Sequence, residues 1–220
     1  MNDSQDVVVA YVDPRAAGEE RLSPFIEKIR NADLRRFVRY CIDRLPHYFW
    51  TLPASTSGRR HGVGESLIDH VVGCLQLADG VCEQMHDVWR QSEADQLFAA
   101  LILHDGWRCG QPGSERRYPA EHDLTGQLRS DPSHPEVGYE RILHLYQQFV
   151  CRTGGVREDE LPELARSVAV VADAVRFHYG PWTENKSVTF DVTAPYSSVV
   201  VQVHNIDYMH AMSSRIRSAA

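Results

Sequence analysis

The sequence has no feature that is typical of a membrane or secreted protein. No apolar run approaches the roughly 20 residues that a membrane-spanning helix needs. The N-terminal segment lacks the basic stretch and apolar core of a secretory signal. The five cysteines include no C-x-x-C pair, and such scattered cysteines are typical of reduced thiols in a cytosol. We therefore expect a cytoplasmic protein that does not contact a membrane.

A surplus of positive charge is also absent. The formal net charge is −7 and the sequence pI is about 5.9, so the chain as a whole repels polyanions. An extended nucleic-acid surface is therefore not expected, whereas a local basic pocket stays possible. The sequence contains no P-loop, no G-x-G-x-x-G and no G-x-S-x-G motif. This excludes the most readily recognised phosphate-binding loops and the nucleophile elbow of a serine hydrolase.

Helical periodicity dominates what is present. Apolar residues recur at helical spacing along most of the 220 residues, which predicts an all-α fold. The N-terminal helical segment is predicted to consist of two helices, separated by a break near Asn31. Ser92 is predicted to cap a helix that ends at His104. The last helical segment is predicted to be long. A short β element is predicted near residues 183–193. The expected core includes four apolar residues on these helices: Val71, Leu101, Leu103 and Val201.

The predicted domain organisation is one compact domain with long loops between its helices. Residues 1–60 are expected to form an N-terminal helical extension that packs on a core formed by residues 61–220. A chain of this length can bury a substantial hydrophobic core.

Histidines are unusually frequent, with eleven in the chain. Several of them, and two aspartates, occur within or at the ends of predicted apolar helices. Burying a charged aspartate without a partner costs several kcal/mol, on the order of what a metal ion or a cationic side chain can offset. We therefore expect one metal site to bring together His70, His104, Asp105, His134, His178 and Asp207.

Five segments that contain these residues resemble, in order, the motifs of the HD superfamily of metal-dependent phosphohydrolases. They cover roughly residues 61–212, and the pattern is most similar to that of the HD domain of YhaM-type 3′–5′ exoribonucleases. The segments are "HGVGESLIDHVVGCLQLAD", "ALILHDGWR", "SHPEVGYERI", "VRFHYGPW" and "VVVQVHNIDYMHAM". The doublet His104-Asp105 corresponds to the H-D pair that names the superfamily.

The resemblance implies a metal-ligand set and a mechanism. His70, His104, Asp105 and Asp207 would hold a first divalent transition metal. In the two-metal branch, Asp105 would bridge to a second ion, held by His134 and His178. Imidazole and carboxylate ligands suit Mn, Fe, Co, Ni or Zn, and two such ions can activate water and stabilise a departing oxygen. Catalytic roles are implied for His104, Asp105 and Arg108.

The resemblance also implies where a substrate would bind. Arg108 stands where the family has a lysine, and His61 matches a position near the metal; Trp107 and Trp182 flank the site and could stack on a base. Tyr179 replaces the family's second histidine in the H-H-G segment, and Gly106-Trp107 replaces Ile-Gly. These substitutions are expected to affect which substrate binds more than whether metal binds. Separately, Asp69 is expected to orient a metal ligand.

Three functions remain open from the sequence. The first is a metal-dependent phosphohydrolase that acts on a nucleotide or another small phosphorylated substrate through metal-activated water. The second is a mixed-valent diiron oxygenase of the same superfamily, which cleaves a small polyol or phosphonate with the same ligands. The third is a non-catalytic nucleotide-binding protein. A homo-oligomer is possible in each case.

Overall fold

The computed structural model describes residues 12–54, 65–110, 133–153, 156–180 and 197–219, with side chains to residue 213 in the last range. Within these ranges the regular elements are eight helices and no strand, which confirms the all-α prediction. The β element predicted near residues 183–193 lies outside the described residues. None of the described helices is long and apolar enough to cross a membrane.

The helices follow one another with a sharp break where the sequence predicted one. In chain order they are α1 (Pro14–Lys28), α2 (Ala32–Ile42), α3 (Tyr48–Thr51), α4 (Leu67–Gln84), α5 (Gln91–Leu103), α6 (His134–Thr153), α7 (Leu161–Phe177) and α8 (Ser198–Ala219). The break between α1 and α2 is at Asn31, whose side chain accepts the backbone N–H of Leu34 and so caps α2. The long closing helix is confirmed as α8.

Helix α5 is the centre of the fold. Its residues Leu97 to Leu103 are all buried, and the helix contacts α1, α2, α4, α7 and α8. A helix that is apolar on every side is stable only when other elements cover all of its faces. Those five helices pack around α5 for this reason, and its C-terminal end therefore lies inside the protein.

Two local predictions about helices were wrong. Helix α5 begins at Gln91, and its N-cap is Arg90. The Glu93 carboxylate accepts the backbone N–H of Arg90 and so stabilises this start. Ser92 therefore lies inside the first turn and does not cap the helix. Val201 is 36% exposed, whereas its neighbours Val200 and Val203 are buried. The adjacent position on a helix is rotated by about 100°, so an apolar run cannot face the core at every residue. The other three expected core residues are buried: Val71, Leu101 and Leu103.

The N-terminal helices share a core with the rest of the molecule. Leu22 of α1, Phe37 of α2 and Trp50 of α3 belong to the same buried hydrophobic cluster as residues of α4 to α8. Gly18 lets α1 approach Trp50 closely, since a Cβ there would lie 2.5 Å from the indole ring. The predicted division at residues 60 and 61 stays a prediction, because residues 55–64 are outside the described ranges.

Candidate metal centre

The doublet His104-Asp105 lies where the buried helix α5 ends. His104 is the C-cap residue, and its Nδ1 atom lies 2.8 Å from the carbonyl oxygen of Leu101. The last carbonyls of a helix lack intrahelical partners, so a side chain can bond them. Because a carbonyl oxygen only accepts, the proton of His104 is on Nδ1, and Nε2 presents a lone pair. Burial lowers the pKa of His104, which favours this neutral form.

His178 repeats this arrangement at the end of α7. It is the C-cap residue, is buried, and its Nδ1 atom lies 2.6 Å from the carbonyl oxygen of Val175. Burial, together with the neighbouring His134, lowers the pKa of His178 to about 3. The imidazole is therefore neutral at pH 7, with the lone pair of Nε2 directed into the site. Two helix ends thus supply two oriented nitrogen ligands by the same local geometry.

His70 and Asp207 complete a first group of ligand atoms around His104. His70 lies in the first turn of α4, and its Nε2 is 3.2 Å from Nε2 of His104 and 3.1 Å from Oδ1 of Asp207. Asp207 comes from α8 and is 16% exposed at its side chain. Burial alone would raise the pKa of Asp207, but the hydrogen bond with His70 holds that pKa below its usual range. This carboxylate is ionised at pH 7.

Cys74 lies next to the first group. Together with His70, His104 and Asp207 it offers ligand atoms that all lie within 4.8 Å of one another. Its Sγ is 3.9 Å from Nδ1 and 3.8 Å from Nε2 of His70, which is nearly equidistant. A sulfur on the lone-pair axis of Nε2 would be clearly farther from Nδ1. The thiol therefore packs against the imidazole of His70 in this conformation.

His134 and His178 form a second group with Asp105. His134 is the first residue of α6, directly after Ser133 and with Pro135 in the first turn, and it is buried. Its Nε2 lies 3.3 Å from Nε2 of His178. Gly138 permits this approach, because a Cβ there would lie 2.8 Å from a methyl group of Val175 on α7. The glycine thus lets α6 pack closely against α7 one turn after His134.

The Asp105 carboxylate lies between the two groups and faces each with a different oxygen. Oδ1 is 3.0 Å from Nε2 of His134 and 3.7 Å from Nε2 of His178. Oδ2 is 3.9 Å from Nε2 of His70 and 3.8 Å from Nε2 of His104. Burial alone would raise the pKa of Asp105, but Arg108 and His104 beside it hold that pKa well below its usual range.

These residues fit metal ions on chemical grounds. Oδ1 of Asp105 is buried and, among the described residues, receives no well-aligned hydrogen bond, although it lies close to two imidazoles. A buried carboxylate oxygen without a donor is costly, and a cation offsets that cost. Neutral imidazoles with carboxylates are the donor set of first-row transition metals. The buried histidine and aspartate groups could therefore bind metal ions. The types of ligand atom do not distinguish one first-row transition metal from another.

Two of the predicted substrate residues are described, and they differ in exposure. Arg108 donates through a guanidinium nitrogen to Oδ2 of Asp105, and its side chain is 11% exposed. Trp107 is 1% exposed and belongs to the hydrophobic core cluster, so its ring faces are covered by protein. The indole ring of Trp107 is therefore not available for stacking on a base. His61 and Trp182 lie outside the described residues.

Several residues have contacts that sequence reasoning missed. His210 places its Nδ1 atom 3.0 Å from Nδ1 of His70, and Nδ1 of His204 lies 2.8 Å from the carbonyl oxygen of His178. Neither histidine is among the residues that the sequence predicts for the site. The i, i+3 spacing of Asp207 and His210 on α8 was the available signal. Asp69 forms a capping box with Ser66 and an ion pair with Arg21, so its oxygens serve the start of α4.

Comparison with known proteins gives distant relationships, among them one to an exoribonuclease. The chain is 29% identical over 86 residues to the 3′–5′ exoribonuclease YhaM of Geobacillus sp. (strain WCH70). The matched region is 39% of this chain and 25% of the relative, so the similarity spans about a quarter of that enzyme. No protein-family model matches the chain. No solved structure matches it either.

Proposed function

We propose that this chain is a metal-dependent phosphohydrolase of the HD superfamily that acts on a nucleotide or another small phosphoester. The observation that carries the proposal is the position of Asp105, whose two oxygens face two separate groups of buried histidines. A carboxylate placed in this way can bridge two metal ions. The similarity to an exoribonuclease supports hydrolysis of a phosphoester and a substrate that contains a nucleotide.

In this proposal each ligand group holds one ion. His70, His104 and Asp207 would bind the first, His134 and His178 the second, and Asp105 both. When bound, two such ions lower the pKa of a water and stabilise the departing oxygen of a phosphoester. The lone pairs on Nε2 of His104 and His178 support this assignment, because both imidazoles have their protons on Nδ1.

Arg108 is the residue that we propose for the phosphoryl group. A guanidinium has five N–H donors, so Arg108 can keep its bond to Asp105 and still donate to a phosphoryl oxygen. The substrate is proposed to be small because the chain has a net charge of −7, which disfavours a long polyanion.

Metal analysis and a substrate panel test the proposal. We expect purified protein to contain a transition metal, to lose activity on chelation and to regain it with Mn, Co or Ni. The panel comprises mononucleotides, dinucleotides, cyclic nucleotides and simple phosphodiesters, with long RNA as a comparison. Full activity in stoichiometrically metal-free protein would refute the metal requirement. Processive, salt-sensitive degradation of long RNA would refute the small substrate.

The number of ions is tested at His134. His134→Ala should lower the metal content from two ions per chain toward one, because it removes a ligand from one group only. His144→Ala is the matched control, since His144 lies on the same helix, is exposed and bonds Gln148. Unchanged metal content in His134→Ala would contradict the two-ion assignment.

The donor set equally favours a second candidate, a diiron oxygenase of the same superfamily. Four imidazoles and two carboxylates are also suitable ligands for iron. Tightly bound iron with consumption of O2 in the presence of a small polyol or phosphonate would support the oxygenase. Activity with Mn, Co or Ni under anaerobic conditions would support the hydrolase. A protein that binds nucleotides but turns over no member of either panel would support a non-catalytic role.

A further inference from the structure

The three imidazoles at the centre of the site differ in what their second nitrogen bonds. His104 and His178 are helix C-cap residues, and each bonds a carbonyl of its own last turn. His70 lies inside α4, where backbone carbonyls are used by the helix itself. Its Nδ1 atom lies 3.0 Å from Nδ1 of His210 on α8, and His210 is 140 positions away in the chain.

The surroundings of His210 define the direction of this hydrogen bond. His210 is 6% exposed, and its Nε2 lies 3.7 Å from a carboxylate oxygen of Glu65. A carboxylate favours the proton on the nitrogen that faces it, so His210 keeps its proton on Nε2 and its lone pair on Nδ1. His70 then donates from Nδ1. In the metal-free protein its Nε2 donates to Oδ1 of Asp207, so an ion held by His104 and Asp207 would replace that Nε2 proton and use the lone pair left on Nε2.

The packing of α4 against α8 is shaped around this pair. Gly73 lies one turn after His70, and a Cβ at this position would lie 2.0 Å from Nε2 of His210. Any side chain at Gly73 would displace the His210 ring. Gly80 lies on the same helix, and a Cβ there would meet nothing within 4 Å. The close approach is therefore local to His210.

We infer that His210 is a positioning residue for the metal centre, because it accepts the Nδ1 proton of His70 and so directs the Nε2 lone pair of His70 toward the ion. The inference rests on the proposed role of His70 as a ligand. Outer hydrogen-bond partners of ligating histidines fix their tautomer and ring orientation, and their loss typically weakens metal binding about 10- to 100-fold. For His104 and His178 the backbone provides this bond, whereas for His70 a replaceable side chain does.

Metal titration of four single variants tests this role. His210→Leu removes the acceptor, whereas His210→Asn keeps an oxygen near the place of Nδ1. Binding of Co²⁺ to the metal-free protein should weaken about 10- to 100-fold for one ion in His210→Leu, with the other ion unchanged. His210→Asn should restore most of the lost affinity. Gly73→Ala should behave like His210→Leu, and Gly80→Ala should behave like the unmodified chain.

A second measurement separates failure of this inference from failure of the proposed function. In the metal-free protein, the Nδ1 proton of His70 should give a downfield NMR resonance that is protected from solvent exchange. That resonance should be lost in His210→Leu and retained in His210→Asn, whether or not the site binds metal. If His210→Leu keeps the resonance, or binds both ions with unchanged affinity, the positioning role is refuted. If the unmodified chain keeps the resonance but binds no metal, the proposed metal centre fails while the hydrogen bond stands.

Discussion

Asp95 and Asp105 are two buried carboxylates ten residues apart, one within α5 and one just after it, and they have opposite surroundings. Each is 2% exposed. Asp95 accepts the backbone N–H groups of Arg30 and Asn31 at 3.0 and 2.8 Å, and the side-chain amide of Gln91 at 2.7 Å. Asp105 contacts Arg108 and lies beside histidines, and its Oδ1 has no aligned donor among the described residues.

The difference shows that burial does not by itself identify a functional carboxylate. The charge of Asp95 is stabilised by neutral donors that also hold the turn between α1 and α2 in place, which is a structural role. Asp105 is surrounded by titratable side chains and keeps an oxygen that a cation can satisfy. Replacing each aspartate by the same residue therefore separates the two roles.

The largest effect is expected for Asp105→Asn. It removes the negative charge between the two histidine groups, so we expect loss of bound metal and a fall in turnover on the order of 10²–10³. The amide has the same shape, so far-UV circular dichroism should be unchanged. Metal content and kcat are the measurements. A variant that keeps two ions and full turnover would show that Asp105 does not bridge them.

The matched substitution Asp95→Asn should affect stability instead. One carboxylate oxygen becomes an NH2 group, so either Arg30 or Asn31 loses its acceptor. An unsatisfied buried N–H costs about 1–3 kcal/mol, which urea denaturation should detect as a lower free energy of unfolding. Metal content per folded chain should remain that of the unmodified protein. A loss of metal without a loss of stability would contradict the distinction between the two carboxylates.

A smaller effect is expected for Gly138→Ala, which changes the surroundings of Asp105 without altering Asp105. The new Cβ would lie 2.8 Å from Val175, so α6 must move away from α7 and carry His134 with it. Overpacking costs about 1–3 kcal/mol, and the better helix propensity of alanine offsets up to about 1 kcal/mol of that. We expect weaker binding of one ion in metal titrations. Unchanged binding of both ions would show that this contact does not position His134.

The smallest effect is expected for Glu93, a partly buried carboxylate of the same helix. Its side chain accepts the hydroxyl of Ser198 at 2.6 Å and the backbone N–H of Arg90 at 2.9 Å, and these bonds lower its pKa. Losing such a helix-start contact in Glu93→Ala should cost about 0.5–1 kcal/mol at pH 7.

The pH dependence of this effect follows from the direction of the shift. A depressed pKa in the folded protein stabilises the fold above the unfolded value of about 4.3, and the contribution is lost as the pH falls through the folded pKa. Urea denaturation at pH 7 and pH 3 should therefore give a smaller difference between Glu93→Ala and the unmodified chain at the lower pH. An equal difference at both values would contradict the assigned contacts.

Local patterns predicted the parts of this molecule that depend on residues near each other in the chain. The helix break at Asn31, the buried run before His104 and the closing helix all follow from periodicity and capping chemistry. The motifs likewise placed six ligand-type residues in one order, and the fold brings all six into contact. Their assignment as metal ligands stays a proposal.

The tertiary structure decided what depends on residues far apart in the chain. The sequence by itself determined that buried helices would end in His104-Asp105 and His178, because helix ends leave carbonyls for a neighbouring imidazole. It did not determine that His70 would bond His210, nor that His204 would bond the carbonyl oxygen of His178. Such partners depend on the distance and rotation between packed helices, here set by close contacts at Gly73 and Gly138, and no local periodicity encodes those quantities.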